Sequence, residues 1–168
     1  MDTLTQELQK AIDYVRQTFA EQKIKLDYTR DTVKHLDTLF DNEFKDGKLK
    51  KPDGSFAKYQ GLIMTGVSGY IAQVILKNTE NTQLVIDPGD QNWFMNFKVA
   101  TAAGLFVQPG QRVIKRILKG EEMELYAYVL VAIKYFSLPP GITGNSPTAT
   151  PDNYTVDTTR KKPWWKMW

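Results

Sequence analysis

The stretch "YQGLIMTGVSGYIAQVIL", residues 59–76, runs for 18 residues between Lys58 and Lys77 without a charge. A helix that crosses a bilayer needs about 20 predominantly apolar residues. This run carries Gln60, Thr65, Ser68, Gln73 and three glycines, so its hydropathy suits a helix enclosed by its own domain better than one enclosed by lipid. The expected helix runs from about Ala57 to Lys77. Gly61, Thr65 and Gly69 recur four apart and would form a groove of small side chains along one face. Each mid-helix glycine costs about 1 kcal/mol against alanine. Several of them in one helix predict that a second backbone packs closely there.

Amphipathic segments flank that central helix. Leu4, Leu8, Ile12, Val15 and Phe19 fall at helical spacing over residues 3–22, with Thr3 and Gln6 placed as a capping box. "IKLDY" (24–28) alternates Ile24, Leu26 and Tyr28 as a short extended link. Thr29 or Asp31 is positioned to cap a second helix with the stripe Val33, Leu36, Leu39, Phe40 and Phe44. "KDGKLKKPDGSF" (45–56) holds two Asp-Gly pairs and reads as a loop.

Beyond residue 80 the period changes. Gln83–Asp87 and Trp93–Val99 are expected as two strands joined by a turn at Pro88-Gly89. Pro109 opens a basic helix with Val113, Ile114, Ile117 and Leu118 inward, and Gly120 stops it. In "EEMELYAYVLVAIKYF" (121–136) acids fill a first turn, and Leu125, Val129, Ala132 and Phe136 share one helical face. The β-formers Tyr126, Tyr128, Val131 and Ile133 keep a strand as the alternative. The expected class is α+β, with amphipathic helices on a small antiparallel sheet in a domain of residues 1–136.

From Ser137 the composition turns to Pro, Gly, Ser, Thr and Asn, which predicts a disordered linker over 137–160. The sequence then ends in "KKPWWKMW" (161–168), with three of the four tryptophans. Trp164, Trp165, Met167 and Trp168, flanked by Lys161, Lys162 and Lys166, are the candidate partner-binding residues. Burying one large aromatic side chain contributes roughly 1.5–3 kcal/mol. The expected destination is a groove on another protein. The alternatives are transient contact with an anionic membrane surface, and folding back onto its own domain.

Charge and composition narrow the classes. Residues 1–136 carry 18 Lys+Arg against 17 Asp+Glu, and residues 137–168 carry 4 against 2. A body this near neutrality argues against nucleic acid as a partner. The chain has no cysteine, which excludes disulfides, thiolate metal sites and a cysteine nucleophile. The polar start "MDTLTQELQK" lacks the pattern of a secretory signal. A cytoplasmic placement follows as the expectation, with the inner membrane surface as an extension of it. No cofactor is implied.

Catalytic and metal motifs are sparse, and a non-enzymatic role is expected. The one histidine, His35, has Asp31, Asp37 and Tyr70 as conceivable partners for an enzyme site, but a boundary histidine is the simpler reading. Asp87 and Asp90 at the "DPGD" turn are explained by local backbone bonding and lack calcium-loop spacing. Two basic groups remain: Lys45, Lys48, Lys50, Lys51 and Lys58 around the first loop, and Arg112, Lys115, Arg116 and Lys119 on the basic helix. Either could meet phosphates or an acidic partner, but the first reads as the solvated lysines of a loop, and the second complements the helix dipole and is offset by Glu121, Glu122 and Glu124.

Taken together, "LDYTRDTVKHLD", "GVSGYIAQVILKN", the tryptophan-bearing strand and "PGQRVIKRILKG" resemble small bacterial domains of uncharacterised function, over about residues 24–136. Some domains of that layout resemble immunity proteins. The resemblance implies neutralisation of a competitor's toxin by binding, and carries over no catalytic residue.

Overall fold

A computed structural model describes residues 3–137. The expected linker beyond them and the terminal peptide with Trp164, Trp165, Met167, Trp168, Lys161, Lys162 and Lys166 lie outside the described residues.

The fold is α+β and is organised around α4 (Gln60–Lys77). Eleven of its residues, from Ile63 to Ile75, are buried. Helix α1 (Thr3–Glu21) packs along it through Leu8, Ala11, Ile12, Val15 and Phe19. The close approach is real, but its glycines are not the expected ones. A Cβ on Gly66 would overlap the Ala11 carbonyl oxygen and stand 2.6 Å from Val15. One on Gly69 would stand 2.7 Å from Leu8. Gly61 has nothing within 4 Å of that position, and Thr65 instead donates to the Gly61 carbonyl at 2.8 Å. The expected Gly61–Thr65–Gly69 stripe therefore gives way to Gly66 and Gly69. These two lie three apart and so share a face. Among the described residues no helix is long and apolar enough to cross a membrane.

After α1 the extended link buries Leu26 and leads to Tyr28, which adopts φ +66°. A bulky residue there is strained. Its ring stacks on Tyr70 of α4 at 4.9 Å, and its N–H donates to the Tyr70 hydroxyl at 2.8 Å. Thr32 donates to the Thr29 carbonyl at 2.7 Å. With that proton spent, Tyr70 must be the donor in its 2.6 Å contact with Thr32. A 3₁₀ turn (Arg30–Thr32) then precedes α2 (Val33–Glu43). Neither Thr29 nor Asp31 caps that helix as expected: Thr29 donates to Asp27 at 2.8 Å, and Asp31 accepts from Lys34 at 2.7 Å.

The lysine-rich loop is partly structured. Asp46 (φ +51°) and Gly47 (φ +74°) form the two-residue turn of a hairpin between β1 (Phe44–Lys45) and β2 (Lys48–Leu49). Asp-Gly is the pair such a turn favours, since both residues need positive φ. Phe44 leaves the helical stripe to start β1. It meets Phe56 edge-on at 5.0 Å and anchors the short helix α3 (Ser55–Lys58). The helix expected from Ala57 is thus two pieces, broken at Tyr59.

The second sheet has the order β3-β4-β5, antiparallel throughout, from β3 (Thr82–Val85), β4 (Lys98–Thr101) and β5 (Phe106–Val107). The strand expected at Trp93–Val99 is a correction: Trp93–Asn96 is a helical turn, α5, and pairing begins only at Lys98. Asp90 explains the switch. It accepts from the Asn92 N–H at 2.7 Å and the Asn96 amide at 2.8 Å, closing that turn upon itself. Asp87 likewise accepts from the Gly89 N–H at 2.8 Å, as a turn aspartate does.

Helix α6 (Pro109–Lys119) ends at Gly120 with φ +64°, and a second 3₁₀ turn (Gly120–Met123) leads to α7 (Leu125–Phe136). The buried residues of α7 are Leu125, Tyr128, Val129 and Ala132, a helical repeat that settles the helix-or-strand question. Leu118, expected inside, is 48% exposed.

Gly66→Ala is expected to destabilise the domain by about 1–3 kcal/mol, because a backbone carbonyl yields little. Gly61→Ala is expected to be neutral or stabilising by up to about 1 kcal/mol. Chemical denaturation midpoints of the two variants check the assignment. Burial holds the Tyr70 phenol above its ordinary value. Its contribution to stability is complete below pH ~10 and is lost as pH rises through the higher folded-state value. The stability difference between the natural chain and Tyr70→Phe should therefore shrink above pH ~10, measured as denaturation free energy against pH.

Candidate functional site

Three of the four α6 cations turn inward. Arg116 and Lys115 are 3% and 4% exposed, and Arg112 donates to the Glu124 carbonyl at 3.1 Å and lies over the Tyr128 ring. Arg116 Nε donates to Asp37 Oδ1 at 3.0 Å, and its Nη2 bonds the Asp41 carboxylate. Asp37 simultaneously accepts from the Leu125 and Tyr126 N–H groups, at 2.8 and 2.9 Å. Those are the first two donors of α7, which have no partner within their own helix. One carboxylate of α2 thus caps α7 and neutralises α6. Burial by itself would lower the Arg116 value, but Asp41 and Asp37 outweigh it and hold the guanidinium above its usual range. The expected offset by Glu121, Glu122 and Glu124 is replaced by this pairing with α2. The cluster is a structural joint, not a landing site for phosphates.

Nor does a site form around His35. The histidine is exposed on α2. Asp31 is engaged by the Lys34 ammonium, which holds its carboxyl below the usual carboxylate range. Tyr70 is wholly buried, with its hydroxyl committed to Thr32 and Tyr28. Among the described residues no group of three or more His, Asp or Glu side chains stands where it could hold a metal ion.

Among the described residues, a groove of about 600 Å³ opens beside the first hairpin. Leu49 of β2 and Pro52 form one wall, and Ala57 of α3 with Gly61 of α4 the other. Met64 of α4 and Met95 of α5, 6% and 7% exposed, make the floor, with Phe94 beside them. Its polar liners are Asp53, Lys58 and Gln60. A Cβ on Gly61 would meet nothing within 4 Å, so the groove is open at that position. The sequence signal for this groove was the 45–58 loop, which carries five lysines against Asp46 and Asp53. What hid the groove was its floor, built from residues 31 positions apart.

Asp37→Ala is expected to cost about 3–5 kcal/mol, since it strands a buried guanidinium and two helix donors. Asp37→Asn, which keeps one carbonyl acceptor, should cost less. Urea midpoints at neutral pH distinguish the two. No family model, curated protein or solved structure matches the chain.

Proposed function

We propose that this chain is a non-enzymatic protein-interaction module whose peptide 161–168 docks on a partner protein. The observation that carries the reading is the concentration of three indoles, Met167 and three lysines in eight residues. Trp164, Trp165 and Trp168 are the anchors. Met167 adds adaptable apolar contact, and Lys161, Lys162 and Lys166 steer the approach. A polar stretch of 24 residues (137–160) precedes them. It can span at most about 80 Å, against a diameter of about 37 Å for a domain of this size. That reach is more than self-capping requires. The domain also fills its own interior, with Tyr70, Tyr128, Phe40 and Phe97 fully buried among its own helices and sheet.

The exposed His35 and the committed Asp31 and Tyr70 weigh against the enzyme alternative built on them. Neutralisation of a bacterial toxin is a narrower form of the same proposal. Contact with the cytoplasmic face of a membrane is its rival, favoured by the pairing of tryptophan with lysine.

Deleting residues 160–168 should leave the thermal midpoint unchanged and remove one set of cross-linked partners from cells expressing the chain. A midpoint lowered by several degrees would instead show the indoles plugging their own domain. Retention on anionic vesicles that is lost with the same deletion would move the assignment to the membrane.

A further inference from the structure

The groove of about 600 Å³ is lined by residues of the first hairpin, α3, α4 and α5, and the segment that supplies most of its lining has a definite sign. Residues 45–58 hold five lysines and two aspartates, a net of +3, whereas the whole of residues 1–136 nets +1. All five lysines are exposed. Lys58 lines the groove itself, Lys50 is tied to the Asp41 carbonyl at 2.5 Å, and Lys48 and Lys51 adjoin the lining residues Leu49 and Pro52 in sequence. Tyr59 and Leu62, each 39% exposed, continue the apolar surface from α4 outward.

We propose that this groove is a second docking site, and that its occupant is an apolar segment of a partner protein flanked by Asp or Glu. Two thioethers on the floor accept apolar anchors of differing shape, because methionine is unbranched and polarisable. The open position at Gly61 admits the anchor side chain from an extended or helical backbone. Lys58 and the other exposed lysines of residues 45–58 select carboxylates and repel cations, through steering that weakens as salt rises. The chain's own peptide 161–168 is the wrong occupant on this ground, since its three lysines would meet a segment that is itself net positive. Asp53 on the lining is the one acid there, and it sets a local limit on how closely a second carboxylate approaches.

The test is selection of a random twelve-residue peptide display library on the full chain, followed by titration of the enriched peptides. Enrichment of sequences with one or two apolar anchors and an Asp/Glu excess supports the proposal. So do amide shifts centred on Gly61, Met64 and Met95. Binding should fall about tenfold or more in Lys48→Glu/Lys51→Glu. It should be blocked in Gly61→Leu, which fills the wall at an open position, and survive deletion of residues 160–168. Thermal midpoints of both variants equal to that of the natural chain exclude misfolding as the cause. No enrichment over the bare support overturns the proposal. So does enrichment without acidic excess that is indifferent to the charge reversal. Binding of a synthetic 158–168 peptide in the groove would replace the occupant with the chain's own terminus. Lysine-dependent binding to vesicles containing phosphatidylserine, with no peptide binding, would replace it with a membrane.

Discussion

The carboxylate of Asp37 is the constraint on which the arrangement of helices rests. Its oxygens accept from two N–H groups at the start of α7 and from the Arg116 guanidinium of α6. A buried charge is tolerated only when opposite charge and hydrogen bonds replace its lost water. Here each partner solves the other's difficulty. Arg116 is neutralised by Asp37 and Asp41, Asp37 is solvated by three donors, and α7 receives the cap that its own sequence lacks. The relative placement of α2, α6 and α7 follows from this one point, because moving any of the three leaves a buried charge or a buried donor unpaired.

The joint also decides which surface is available for binding. Four cations on α6 would form a basic strip if α6 lay on the outside. With Arg112 and Arg116 engaged inside the domain and Lys115 buried, Lys119 is the exposed cation of the four, whereas all five lysines in the hairpin and loop of residues 45–58 are exposed. Phe44 and Phe56 hold that loop against the end of α2, so its lysines stand on an anchored frame, and Lys58 lines the groove. The structural use of one basic cluster makes the other the chemically expressive one.

Much of the architecture was legible in the sequence because helical periodicity is a local property. The stripes of α1, α2, α6 and α7 follow from spacing, and the repeat Leu125–Val129–Ala132 outweighed the β-formers of α7. The errors came where a local pattern was overruled by distant contacts. Trp93 and Phe94 are β-formers, but Asp90 closes the turn that holds them helical. Gly61 and Gly66 have equal claims in sequence, and only the position of α1 separates them. The joint itself left a faint mark: Asp37 falls within the buried stripe Val33–Leu36–Phe40, and Arg116 within Val113–Ile117. An acid and an arginine on two apolar faces are complementary, but 79 positions apart they do not declare each other. The groove was harder still, because its walls come from β2, α3, α4 and α5 and only its lysines form a run.

The account depends most on Arg116 being an internal strut. The most direct measurement is hydrogen exchange at the arginine Nε–H groups, followed by nitrogen-edited nuclear magnetic resonance at neutral pH. The account predicts a strongly protected Nε–H signal assignable to Arg116 and lost on replacement of Asp37. A signal exchanging at the rate of free arginine would place that guanidinium in water and contradict the joint between α2, α6 and α7.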